Sequence, residues 1–145
     1  MKSSYSQNNL TYQAAFAACE AAVKKAEELE IKINVSVCDY SGLELAFLRM
    51  NDSYIHSIDI AKDKAYTSVS FGFPSGEWTG IFKEAPHLEH GFSNRDRLIP
   101  FGGGLPIFEN NIKIGAIGVS GGTEEEDIVC AQAGIESIEF KGENK

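Results

Sequence analysis

Seven glycines fall among residues 102–122, in Phe101-Gly102-Gly103-Gly104-Leu105-Pro106 and in Gly115-Ala116-Ile117-Gly118-Val119-Ser120-Gly121-Gly122-Thr123. Glycine costs conformational entropy wherever it is ordered, so this density marks backbone that side chains would obstruct. Two roles are open. The run can bend the entry strand of a hairpin, or it can let the backbone approach a ligand or a neighbouring subunit. Neither a dinucleotide fingerprint nor a P-loop fits, because the triplet leads into a strand and no P-loop lysine follows. Directly after the second block, Thr123-Glu124-Glu125-Glu126-Asp127 has a Thr N-cap with Glu three residues on. This predicts a capping box, with the acids on the positive end of a final helix. Capping explains these acids without a bound cation.

The 145 residues, 43% of them hydrophobic, are enough for one domain with one core. A net charge of −8 argues against a nucleic-acid partner, whose phosphates need a basic face, and against an anionic membrane surface. Cys19, Cys38 and Cys130 are odd in number, far apart and without C-x-x-C spacing. They predict buried free thiols in a reducing cytosol, not a disulfide framework or a zinc site. Met1 to Asn9 has no apolar core of a signal peptide, and no apolar run is long enough to span a bilayer. A soluble, cytoplasmic protein is expected.

Residues 1–9 are expected to be disordered, 10–140 to form the domain and 141–145 to be a frayed tail. Thr11 to Glu30 places Ala15, Ala18, Ala22, Ala26 and Leu29 on one stripe, a first helix with small side chains that can lie close to a sheet. Ile31 to Cys38 and Leu43 to Arg49 alternate about the turn Asp39-Tyr40-Ser41-Gly42, which predicts a hairpin. Ser53 to Phe71 reads as a second helix and Glu77 to Glu84 as a short one, with a loop to Asp96. Arg97–Phe101, Leu105–Glu109 and Lys113–Val119 read as three strands, the last two joined by Asn110-Asn111. The final helix runs from Thr123 to about Phe140. The order gives an α+β fold, an antiparallel sheet with helices packed mainly on one face, of profilin-like or PAS-like architecture.

Chemistry-bearing residues are few. On the second helix His56, Asp59, Asp63 and Tyr66 share one face, which a solvated surface explains, with Lys64 a quarter turn away. Lys64 and Arg49 could together hold a carboxylate. His87 and His90, three residues apart, could face one metal ion, although Pro86 and Gly91 flank them and only two ligands are visible. No nucleophile elbow is present. The Ala-rich helix, the glycine run and Phe71, Phe73 and Trp78 leave apolar surface that predicts self-association.

Together, Val37-Cys38-Asp39-Tyr40-Ser41-Gly42, Arg49-Met50-Asn51-Asp52, Ser57-Ile58-Asp59-Ile60-Ala61, Lys64-Ala65-Tyr66-Thr67 and the two glycine blocks with Asp127 resemble the GlcG/HbpS family across nearly the whole chain. The resemblance implies a GlcG-like sandwich, commonly oligomeric. It also implies a small-ligand protein binding haem or a corrinoid, accessory to glycolate, glycerol or diol metabolism. The pocket would be rimmed by Phe101, Gly102, Gly103 and Gly104 and by the helix bearing His56 and Lys64. The first helix contains no histidine, so any axial imidazole would come from His56, His87 or His90. Two alternatives stand beside this. One is an enzyme acting on a small carboxylate or diol-derived metabolite, with Arg49 and Lys64 binding substrate and His56 shuttling a proton. The other is an accessory subunit without a ligand.

Overall fold

Thr11 caps the first helix, accepting a hydrogen bond from the Ala14 amide at 3.2 Å, and α1 then runs over Tyr12–Glu28. The computed structural model describes residues 1–139; the tail expected at 141–145 lies outside the described residues. Strands β1 (Asn34–Asp39) and β2 (Glu44–Arg49) form the expected hairpin. The Asp39 carboxylate closes its turn by accepting from the Ser41 and Leu43 amides. After α2 (His56–Phe71) come a 3-10 turn (Ser75–Glu77), α3 (Trp78–Glu84) and α4 (Pro86–Phe92). Strands β3 (Gly104–Glu109) and β4 (Ile112–Ser120) follow, then α5 (Glu124–Ile138).

The four strands form one antiparallel sheet in the order β2-β1-β4-β3. Central β1 is buried on both faces. Its Val35 and Val37 enter the main core with Ala15, Ala18, Ala22, Cys130 and Ala131 of α1 and α5. On the other face Asn34, Ser36 and Cys38 look toward α2: Asn34 Nδ2 donates to the Tyr54 carbonyl, and Cys38 packs with Ala65 and Val69. The sandwich is therefore α+β as expected. The α1–α5 pair occupies one face, and the single helix α2 crosses the opposite one.

Glycine explains how closely α2 lies. Gly104 and Gly118 are cross-strand partners. A Cβ on either would collide with the α2 backbone, at the Lys64 carbonyl for Gly104 and the Ala61 carbonyl for Gly118. Asn110 and Asn111, at φ 52° and 66°, make the tight turn between β3 and β4.

Two expectations are corrected. Arg97–Phe101 is a strap, not a strand, because side chains take its backbone groups. The Thr67 hydroxyl donates to the Arg97 carbonyl and accepts from the Ile99 amide, and Ser75 Oγ donates to the Phe101 carbonyl at 2.6 Å. The expected loop before Asp96 contains α4, started by Pro86 in its first turn, where the missing amide is not needed. Of the aromatics read as association surface, Trp78 is buried against Phe71, Phe82 and Phe92 of the same chain, while Phe71 remains partly exposed. All three cysteines are free and buried, and desolvation pushes each thiol up to about 12. Among the described residues no helix is long and apolar enough to cross a membrane.

Candidate functional site

On α2, Ala61, Lys64, Ala65 and Ser68 follow the spacing i, i+3, i+4, i+7, so a lysine occupies the stripe that faces the sheet. Lys64 is 1% exposed. Its Nζ donates to the Val119 carbonyl at 2.8 Å and to Asp127 Oδ2 at 3.1 Å. Asp127, equally buried, accepts from the Gly122 amide through its other oxygen at 2.9 Å. A buried ion pair thus ties α2 to β4 and to the first turns of α5.

The glycine triplet wraps this pair. Gly103 adopts φ 128°, a conformation that disfavours any side chain, and a Cβ there would lie 2.5 Å from Lys64 Nζ. Phe101 places its ring 5.3 Å from the ammonium, within cation–π range. Gly102 donates its amide to Glu124 Oε2, and Gly104 donates to Ser75 Oγ. Desolvation lowers the Lys64 pKa from its ordinary value, and the Asp127 charge opposes that shift. Desolvation likewise raises the Asp127 carboxyl, against the opposing Lys64 charge and the Gly122 amide. Burial therefore presses both partners toward their neutral forms.

Lys64 and Asp127 floor a hollow of about 180 Å³ that is also lined by Tyr54, Ser57, Phe101 and Glu124. A larger hollow, about 540 Å³, lies where β2 ends beside the α1 terminus and includes Arg49. It holds no buried ionisable group, and the smaller one is where the chemistry gathers.

The candidate residues divide accordingly. Lys64, Phe101, Gly102, Gly103 and Gly104 come together around the ion pair. Arg49 lines the other hollow with Leu48 and Met50, so it and Lys64 do not form one carboxylate clamp. His56 is exposed in the first turn of α2, two residues after the hollow-lining Tyr54. His87 and His90 are exposed on α4, and among the described residues no group of three His, Cys, Asp or Glu is placed to hold a metal. Asp127 and Ser75 were not singled out as site residues from the sequence. The lysine interrupting an otherwise small and apolar stripe was the readable signal of a buried partner.

A family model described as "Haem degrading protein HbpS-like" matches residues 10–136. The chain belongs to the HbpS-like family. It is 36% identical over 129 residues to a 15.0 kDa protein of Citrobacter freundii encoded in the dhaT-dhaS intergenic region, covering 88% of this chain and 90% of that one. Its fold is similar to the crystal structure of Klebsiella pneumoniae protein ORFY, with TM-score 0.88, 35% identity and coverage of 94% and 95%. It is also similar to a solved PduOC:haem complex, with TM-score 0.81, 30% identity and coverage of 90% and 95%.

Proposed function

We propose that this protein binds a tetrapyrrole, haem first among them, on the face where the glycine bend meets the start of α2. One observation carries the reading: the chain matches the fold of a haem-complexed relative over nine-tenths of its length at 30% identity. A hollow of about 180 Å³ is smaller than the roughly 300–1,000 Å³ of sites that enclose drug-sized ligands. The residues fit an open seat, not an enclosing pocket. Tyr54 (69% exposed), Ile55 (78%) and Phe101 (42%) offer apolar surface to one porphyrin face. His56 is the imidazole nearest in the chain to that rim. Bound haem would supply an iron centre whose reactivity the axial ligand and the surrounding polarity set. A second copy of the chain would cover the other porphyrin face. Exposed Tyr12, Phe16 and Leu43 add further apolar surface for a homo-oligomer. Three free thiols suit a reducing cytosol, where an accessory role in glycolate, glycerol or diol metabolism is the proposed setting.

Titrating the purified protein with haemin tests this. A saturable Soret band is expected, shifted in His56→Ala and unchanged in His87→Ala/His90→Ala. Gly103→Val, checked for folding by circular dichroism, should lose the band. No saturable band in the parent, or an unshifted one in His56→Ala, would overturn the haem seat or its axial ligand respectively.

A further inference from the structure

Lys64 is a primary amine at the floor of a hollow, and the haem seat makes no use of its nucleophilicity. We infer that this hollow captures a small, uncharged aldehyde as a Schiff base on Lys64 Nζ. The inference does not rest on the haem reading.

Four observations converge on it. Among the described residues, Nζ has two acceptors, the Val119 carbonyl and Asp127, for its three protons, which leaves one position for an attacking lone pair. Lys64 and Asp127 both line the hollow, so the amine and the carboxylate that can take its proton share the space an aldehyde would enter. A volume of about 180 Å³ holds about six water-sized groups, at about 30 Å³ each, which suits an aldehyde of a few heavy atoms. Two carboxylates, Glu124 and Asp127, line the hollow against one ammonium, which disfavours an anionic 2-oxo acid. Burial, which disfavours the charged amine, adds to this geometry.

The step balances within the ion pair. Asp127 takes a proton from the Lys64 ammonium, rotation about Cε–Nζ turns the freed lone pair to the unpaired position, and that pair forms a C–N bond to the carbonyl carbon as the C=O π bond opens. The carbonyl oxygen collects one proton from Asp127 and then one more from the nitrogen through the same carboxyl, and leaves as water. What remains is an iminium on Lys64, still paired with the Asp127 carboxylate. The charge of the pair is unchanged, and no oxidant or reductant is needed. Ser57, buried in the wall, can hydrogen-bond the carbonyl oxygen.

The test is reductive trapping of the folded parent with acetaldehyde and cyanoborohydride at neutral pH, with lysine peptides mapped by mass spectrometry. Lys62, on the same helix and half-exposed, serves as the internal standard. The N-ethyl adduct is expected at Lys64 ahead of Lys62, with no N-(1-carboxyethyl) adduct at Lys64 when pyruvate replaces acetaldehyde. Asp127→Asn should lower labelling of Lys64 relative to Lys62, and Phe101→Ala, which opens the hollow, should raise it. If Asp127→Asn does not fold, Ser57→Ala replaces it with the same expected direction. Alkylation of Lys62 with Lys64 unmodified in both the parent and Phe101→Ala overturns the proposal. Equal labelling by pyruvate overturns the choice of an uncharged substrate. Haemin binding is measured on separate samples, so failure of one reading leaves the other standing.

Discussion

The two faces of the sheet solve the burial problem in opposite ways. Against α1 and α5 the buried side chains are Leu10 with alanines, cysteines, valines and isoleucines, and among the described residues nothing ionisable beyond thiols held protonated enters. Against α2 the buried set includes Asn34, Ser36, Ser57, Lys64, Thr67, Ser68 and, from α5, Asp127. An apolar face is stabilised by area and shape, without direction. A polar face depends on direction, and its charges above all must keep their partners, because an unpaired buried charge costs far more than a lost contact. The α2 face is thus the one whose chemistry can be altered by a proton or a ligand, and it is the face carrying the candidate site.

The sharpest way to break this contrast is to orphan one charge. Lys64→Met leaves Asp127 buried and unpaired and should cost about 3–5 kcal/mol in denaturant unfolding, whereas Lys64→Met/Asp127→Leu should recover most of it. A single variant as stable as the parent would show that water already reaches the pair. On the apolar face, Ile117→Ala should cost about 2–5 kcal/mol through lost transfer energy and a cavity beside Gly134. That loss should be the same at every pH where the fold persists.

Dependence on pH separates the faces further. The folded Asp127 carboxyl titrates above its ordinary 3.8, so over that window the folded state holds a proton that the unfolded chain has released. Stability contributed here falls as pH rises through the window. The folded Lys64 titrates below its ordinary 10.5, so on the alkaline side the unfolded chain holds the extra proton and stability rises as pH rises. Each limb has a slope of at most about 1.4 kcal/mol per pH unit. Parent minus Lys64→Met/Asp127→Leu should accordingly be smallest near neutrality and grow in both directions. A flat difference would mean that the mutual attraction of the pair cancels its desolvation.

What the sequence revealed follows the same division. The alanine stripe, the Asp39–Gly42 hairpin, the Asn110-Asn111 turn and the capping box are local patterns, and each is formed as read. The strap at residues 97–101 was misread because its backbone partners are the hydroxyls of Thr67 and Ser75, 26 to 32 residues away in the chain, and no periodicity reports such partners. The glycine triplet did mark the site. Its meaning depended on which α2 atoms lay opposite, and the Lys64–Asp127 pair spans 63 residues. Asp127 was hidden within a run of acids whose other members explain themselves as helix-capping groups.

The capping run therefore offers the finest test of where the polar face ends. Thr123 Oγ1 accepts from the Glu126 amide at 3.2 Å, and the Glu126 carboxylate accepts from the Thr123 amide at 2.9 Å, both on the exposed side of the α5 terminus. Thr123→Ala removes one of these bonds and should cost about 1 kcal/mol, with no change in the pH profile. Glu124→Gln keeps an oxygen to accept from the Gly102 amide and gives up a favourable charge at the helix start and near Lys64, a few tenths of a kcal/mol. Asp127 lies one residue beyond Glu126 and faces inward, so Asp127→Asn should exceed both and should reshape the pH profile. If Thr123→Ala reshaped that profile as well, cap and ion pair would be one coupled network, and the polar face would extend to the surface of α5.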